Sequence, residues 1–203
     1  MSSLLAKAAD RKLSDYPSVH IENVVASTFL GVAVDLIALS RQLVGAEYNP
    51  QRFPGVVLRT ESPKAATLVF RSGKVVCTGA KSVEDVHYSL RRVFQEVKGL
   101  GVAVQDPDIT IQNIVASADL GCEMDLGAVA AAIGLENVEF EPEMFPGLVR
   151  RLDTPKAVIL LFGSGKMIIT GAQSVKDCES ALGAIVQELT GLGLLKGNGA
   201  SSE

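Results

Sequence analysis

Two Ser-Gly-Lys stretches, Ser72–Lys74 and Ser164–Lys166, are the residues whose types come nearest to a phosphate-binding loop. Such a loop needs a further Gly five places before its Gly-Lys pair, and a Ser or Thr after the Lys. Here Leu68 and Leu160 hold the first position, and Val75 and Met167 the second, so the reading fails. A hairpin turn whose Lys opens the next strand accounts for Ser-Gly-Lys fully. His20 and His87 have no carboxylate or cysteine at motif spacing, and neither a Ser-His-Asp nor a Cys-His order occurs, so catalysis is not expected. Cys77, Cys122 and Cys178 are odd in number and far apart, which indicates neither a disulfide framework nor a zinc site and fits a reducing compartment. No metal or cofactor is expected.

More informative are four phenylalanines, in pairs seventeen residues apart: Phe53 with Phe70, and Phe145 with Phe162. They recur because the chain is written twice. "IENVVAS" from Ile21 is answered by "IQNIVAS" from Ile111, and "RFPGVVLRTESPKAATLVFRSGK" from Arg52 by "MFPGLVRRLDTPKAVILLFGSGK" from Met144. The offset is 90 at first and 92 later, which places two extra residues between Asp125 and Pro146, at a loop or helix end. The expected layout is an N-terminal segment 1–18, repeats 19–101 and 109–195, a turn-bearing linker 102–108, and a Gly/Ser-rich tail 196–203 expected to be disordered.

Each repeat reads as an extended run, a helix beginning at Asp35, a meander of short strands ("GVVLRT", "ATLVF", "KVVCTG"), and a longer helix. Ser82 and Ser174 are expected to cap those longer helices, with Gly99, Gly101, Gly191 and Gly193 at their ends. Alternation separates Ala66, Leu68 and Phe70 from Ala65, Thr67 and Val69, and both sets are largely apolar. Two helices per repeat cover one sheet face, which leaves the other bare. The set with Phe70 is expected there, because Asn23, Lys74 and Thr78 share it, while Cys77 falls on the covered side. From periodicity alone the bare strip could equally close against its partner lobe or a second subunit. The placement of both Phe of each pair on it favours a surface that binds something large and flat.

The duplicated order N-[IV]-V-A-S, F-P-G, P-K-A, F-x-S-G-K, T-G-A resembles the TATA-box-binding proteins from Val19 to Leu195. The resemblance implies an α+β fold: two pseudo-symmetric repeats forming a curved, saddle-like, ten-stranded antiparallel sheet with four helices on its convex face. It implies a general transcription factor that binds the minor groove of A·T-rich promoter DNA and recruits a B-type factor and, through it, RNA polymerase. Phe53, Phe70, Phe145 and Phe162 would wedge open base steps. Asn23, Thr78, Asn113 and Thr170 would donate to adenine N3 and thymine O2, which separates A·T from G·C. Val25, Leu68, Val115 and Leu160 would touch the groove floor, and Arg59, Lys64, Lys74, Arg151, Lys156 and Lys166 would hold phosphates. Glu141, Glu143 and Met144 would meet the B-type factor, although an acidic surface loop is by default merely solvated.

The formal charge of −4 argues against nucleic acid on the usual footprint. The six basic positions reconcile the two if the acids lie mostly on the helix-covered side. Departures from the family pattern include Arg91, Arg92 and Lys98 interspersed with Glu84 and Glu96, which puts carry-over of helix-bound regulators in doubt. The halves also differ at Arg52 against Met144 and at Arg71 against Gly163. The short leader, the likeness of the halves and the acidic composition resemble archaeal rather than eukaryotic members. A cytoplasmic, nucleoid-associated protein is expected, or a nuclear one if the source is eukaryotic, with no membrane span. The alternative is a dimerising scaffold that uses the same apolar face without DNA, and a homodimer in the absence of DNA fits both readings.

Overall fold

The computed structural model describes residues 17–195. Most of the N-terminal segment 1–18, and all of the tail 196–203 expected to be disordered, lie outside the described residues. Two compact units emerge among the described residues, Ile21–Ile114 and 115–195 together with 17–20. Segment 102–108 belongs wholly to the first unit, where the Gln105 amide donates to the Leu30 carbonyl at 3.0 Å and the Gln112 side chain to Ser27 Oγ at 2.9 Å.

Among the described residues the fold is α+β, with ten strands and four helices, and each repeat contributes five and two of them. The first repeat runs β1 (His20–Phe29), α1 (Leu36–Gln42), β2 (Ala46–Glu47), β3 (Gly55–Glu61), β4 (Lys64–Phe70), β5 (Lys74–Ala80) and α2 (Val83–Gly99). The second runs β6 (Thr110–Asp119), α3 (Leu126–Ile133), β7 (Val138–Glu139), β8 (Gly147–Asp153), β9 (Lys156–Phe162), β10 (Lys166–Ala172) and α4 (Val175–Gly191). Strand order is β2-β3-β4-β5-β1 in the first and β6-β10-β9-β8-β7 in the second, with antiparallel neighbours. The two-residue edge strands β2 and β7 escape the residue pattern, since alternation needs a longer run to register.

Local signals place the helices. Asp35 Oδ1 accepts from the amides of Ile37 and Ala38 at 2.9 and 3.2 Å, and Asp125 Oδ1 from Ala128 at 3.1 Å. Ser82 Oγ accepts from the Asp85 amide and Ser174 Oγ from the Asp177 amide, both at 3.0 Å, so orphan donors at all four helix starts are satisfied. Both long helices stop at a glycine and turn away at the next one, Gly101 with φ 84° and Gly193 with φ 75°. The two extra residues of the second repeat sit at a helix end and the loop after it: α3 is one residue longer than α1, and the step to the edge strand is one residue longer.

Under the helices, one set of strand side chains is fully buried. In the first unit Val69, Val75 and Cys77 lie on β4 and β5, the strands α2 packs against, and they are buried together with Val24, Ala26 and Val56 and with Val86, Leu90, Val93 and Val97 of α2. In the second unit Ile159, Leu161, Met167 and Ile169 of β9 and β10, the strands that α4 packs against, are buried in the same way. At about 1.5–3 kcal/mol for each large apolar side chain buried, this layer supplies the main stabilisation of each unit. Among the described residues no helix is long and apolar enough to cross a membrane.

Candidate nucleic-acid interface

The opposite parity is only half-buried. Ala66, Leu68 and Phe70 stay partly open while Ala65, Thr67 and Val69 are covered, as alternation required. Register builds this face into rows, with Val57 opposite Leu68 and Leu68 opposite Val76 in the first unit. Val149, Leu160 and Ile168 form the same row in the second. Leu68 and Leu160 thus sit in the middle of apolar rows whose flanking members, Val57, Val76, Val149 and Ile168, the residue reading did not single out as contacts. Strict alternation in "GVVLRT" and "KVVCTG" carries the signal for the first two. Val25 and Val115 are half-buried on the same parity.

The Phe rings stand at one end of each face. Phe53 and Phe70 have centroids 5.6 Å apart and planes at 59°, and Phe145 and Phe162 are 5.8 Å apart at 62°. These are edge-to-face arrangements within the favourable range for aromatic pairs. A turn aims the first ring of each pair: the Asn49 carbonyl accepts from both the Arg52 and Phe53 amides, and the Glu141 carbonyl from Met144 and Phe145. Glu141, Pro142, Glu143 and Met144 all face solvent, Met144 with 83% of its surface exposed.

At the other end, Asn23 is held by β5. Its Oδ1 accepts from the Gly79 amide at 2.7 Å and from Thr78 Oγ1 at 3.3 Å. Gly79, with φ 86°, sits where the β1–β5 register slips by a residue between Val24 and Ala26. This glycine-bearing bulge leaves its amide unpaired by the ladder and ready for the Asn side chain. An amide donor requires an oxygen acceptor, so Asn23 Oδ1 is the bound atom and its NH2 is the group left to face outward. Asn113 and Thr170 occupy the equivalent positions, where Gly171 has φ 83°.

Arg59, Lys64, Lys74, Arg151, Lys156 and Lys166 are all exposed. Two of them are not bare, since Arg59 Nε lies 4.0 Å from Glu47 Oε1 and Arg151 Nε 2.9 Å from Glu139 Oε1. Glu47 stands opposite Val57, and Glu61 and Asp153 opposite Lys64 and Lys156, on the uncovered parity. The acids are therefore not reserved to the helix-covered side; β2 and β7 bring a carboxylate to each arginine, which sequence separation concealed. Both ion pairs are exposed and worth about 0–1 kcal/mol, so a phosphate can displace the carboxylate. The four lysines form no salt bridge among the described residues.

The Ser-Gly-Lys stretches are turns, as their composition required. The Gly73 amide donates to Phe70 O and the Gly165 amide to Phe162 O, each at 2.9 Å. With φ near 80° and a neighbouring carbonyl in the way of any Cβ, only glycine fits at either position. His20 lies on the rim of an open groove of about 770 Å³ beside Phe162, Ser117 and Lys166. Among the described residues no cluster of His, Cys, Asp or Glu could hold a metal ion.

Residues 18–100 and 108–192 each match the family described as transcription factor TFIID, or TATA-binding protein. The chain belongs to the TATA-binding protein family. That family comprises transcription factors, not enzymes. The TATA-box-binding protein of Haloarcula marismortui is 56% identical over 179 residues, covering 88% of this chain and 96% of that one. TATA-box-binding protein B of Halobacterium salinarum is 58% identical with the same coverage, and the Archaeoglobus fulgidus protein 54% identical over 90% of this chain and 100% of its own. The structure of the Methanococcus jannaschii TATA-binding protein aligns with a TM-score of 0.77 at 48% identity, over 86% of this chain and 99% of that one. These relatives are archaeal, as the resemblance implied.

Proposed function

We propose that the uncovered sheet face of each unit binds the minor groove of A·T-rich promoter DNA, and that the protein bends this DNA to begin transcription. The observation that carries this reading is the join of three features on one face: a half-buried pair of Phe rings, an apolar row, and an Asn whose oxygen is already engaged. Minor-groove A·T pairs offer acceptors only, adenine N3 and thymine O2, so the amide NH2 of Asn23 is the matching donor. Asn113 serves the same contact, and Thr78 and Thr170 add theirs, Thr78 by turning its single hydroxyl hydrogen from Asn23 Oδ1 to the groove. A guanine amino group would meet either the NH2 or an aliphatic side chain such as Val25, Leu68, Val115 or Leu160, which disfavours G·C.

The Phe pairs act as wedges between base steps. Unstacking costs a few kcal/mol per step and is offset by burial of the apolar rows and by phosphate contacts that bent DNA permits, behaviour for which this family is itself the type case. Arg59, Lys64, Lys74, Arg151, Lys156 and Lys166 supply those contacts, the two arginines by exchanging a carboxylate for a phosphate. The exposed turn with Glu141, Glu143 and Met144 is the docking point for a B-type factor, through which RNA polymerase is recruited, and the protein acts at the nucleoid in the cytoplasm.

Fluorescence energy transfer across an end-labelled duplex tests the reading. Transfer should rise on an A·T-rich promoter and not on a G·C-rich control, and Phe145→Ala or Phe162→Ala should reduce the bend. No rise on either duplex refutes DNA bending and leaves a dimerising scaffold as the reading; an unchanged bend in both variants refutes the wedges.

A further inference from the structure

The glycines of the repeat fall into classes with different physical causes. Gly73 and Gly165 have positive φ and a carbonyl against the Cβ position, while Gly79 and Gly171 have positive φ and ordinary space. Gly55 and Gly147 differ from both, because neither has positive φ and their backbones would accept any residue. A side chain there would crowd the phenylalanine pair together with one backbone carbonyl. A Cβ on Gly55 would lie 2.9 Å from Phe53 Cε1, 3.3 Å from Phe70 Cδ1 and 3.0 Å from the Val69 carbonyl oxygen. On Gly147 it would lie 2.7 Å from Phe145 Cε1 and 3.1 Å from both Phe162 Cε1 and the Leu161 carbonyl oxygen.

The register explains the crowding. Gly55 is paired directly with Phe70, and Gly147 with Phe162, so the second ring of each pair stands across the strand from a residue with no side chain. The first ring comes from two residues earlier, in the turn that precedes the strand, behind a proline whose φ is fixed. Both rings lean into the space above the glycine and meet edge to face. From these contacts we infer that Gly55 and Gly147 are positioning residues: each is the floor that sets the spacing and tilt of one phenylalanine pair, and hence the shape of one wedge. The inference rests on the wedge role proposed above. A methyl group on the floor would lift the first ring and turn the second, so the pair would meet a base step in another shape or as two separate rings.

Gly55→Ala, Gly147→Ala and the double variant test this in two arms. In the free protein with labelled phenylalanine, ring-to-ring cross-peaks in nuclear magnetic resonance report each pair. Gly55→Ala should lose or shift those of Phe53 and Phe70 and keep those of Phe145 and Phe162, with the reverse for Gly147→Ala and little change in thermal unfolding. On an A·T-rich duplex carrying 2-aminopurine at either end step, unstacking raises fluorescence. Summed over the two steps, which removes dependence on binding orientation, the gain should fall by about half in either single variant and nearly vanish in the double one.

Unmoved cross-peaks, or full fluorescence from Gly55→Ala on a duplex to which the unaltered protein responds, overturn the inference. If Gly55→Ala does not fold, adding Phe53→Leu should restore folding where the clash is with the ring; failure to restore it assigns the clash to the Val69 carbonyl and overturns the inference. A flat response from the unaltered protein defeats the DNA reading alone, because the cross-peaks still decide what the glycines position.

Discussion

The side-chain oxygen of Asn23 accepts a hydrogen bond from the Gly79 amide at 2.7 Å, which turns the asparagine NH2 away from β5. Asn23→Asp keeps that acceptor and replaces the outward donor with an anionic oxygen facing acceptor atoms of the groove. Binding to A·T-rich DNA should weaken on the order of tenfold to a hundredfold with thermal stability nearly unchanged. Paired titration and thermal melts check this, and a drop in stability equal to the drop in binding would assign Asn23 to the bulge alone.

Glu139 holds Arg151 at 2.9 Å on an exposed edge. Glu139→Gln frees the arginine and removes a like charge from the phosphate's approach. Affinity should rise a few fold at low salt, with the gain fading at high salt, and the plot of log affinity against log salt should steepen by up to about 1. Glu47→Gln should do less, since its pair with Arg59 is longer at 4.0 Å.

Thr28 and Ser89 are buried, and among the described residues their hydroxyls have no hydrogen-bond partner. The second repeat places Ala118 and Ala181 at the equivalent positions, both buried. Ser89→Ala and the isosteric Thr28→Val should each stabilise the protein by about 1 kcal/mol, raising the melting temperature by roughly 2–4 °C, as calorimetry can measure.

The thiols should divide by burial. Cys122 is exposed, Cys77 and Cys178 are buried, and burial pushes the Cys178 thiol up to about 11 and that of Cys77 upward as well. A chromogenic disulfide should titrate Cys122 in the native protein and all three thiols after unfolding. Because the unfolded thiols ionise at lower pH than the folded Cys178, stability should be full below pH 9 and fall as the pH rises toward 11, which alkaline melts will register.

Much of this protein is local and therefore legible in the chain. The duplication shows when the chain is compared with itself, and the capping residues Ser82 and Ser174, the Ser-Gly-Lys turns and the parity that sets Phe70 apart from Val69 depend on residues within a few positions of one another. The composition of each short stretch decides them, and alternation predicts that one sheet face goes without a helix. What the tertiary structure decided lies between residues distant along the chain. Asn23 and Gly79 are 56 positions apart, and nothing in either stretch states which atom of the amide is engaged. The edge strands β2 and β7 are too short to leave a pattern, yet they carry Glu47 and Glu139 to the arginines. Gly55 reads as an ordinary strand residue until register sets it against Phe70 and the turn at Asn49 brings Phe53 over it. Sequence specifies which side chains exist and which face each one takes; only folding fixes the distances of a few ångströms on which hydrogen bonds, ion pairs and steric limits depend.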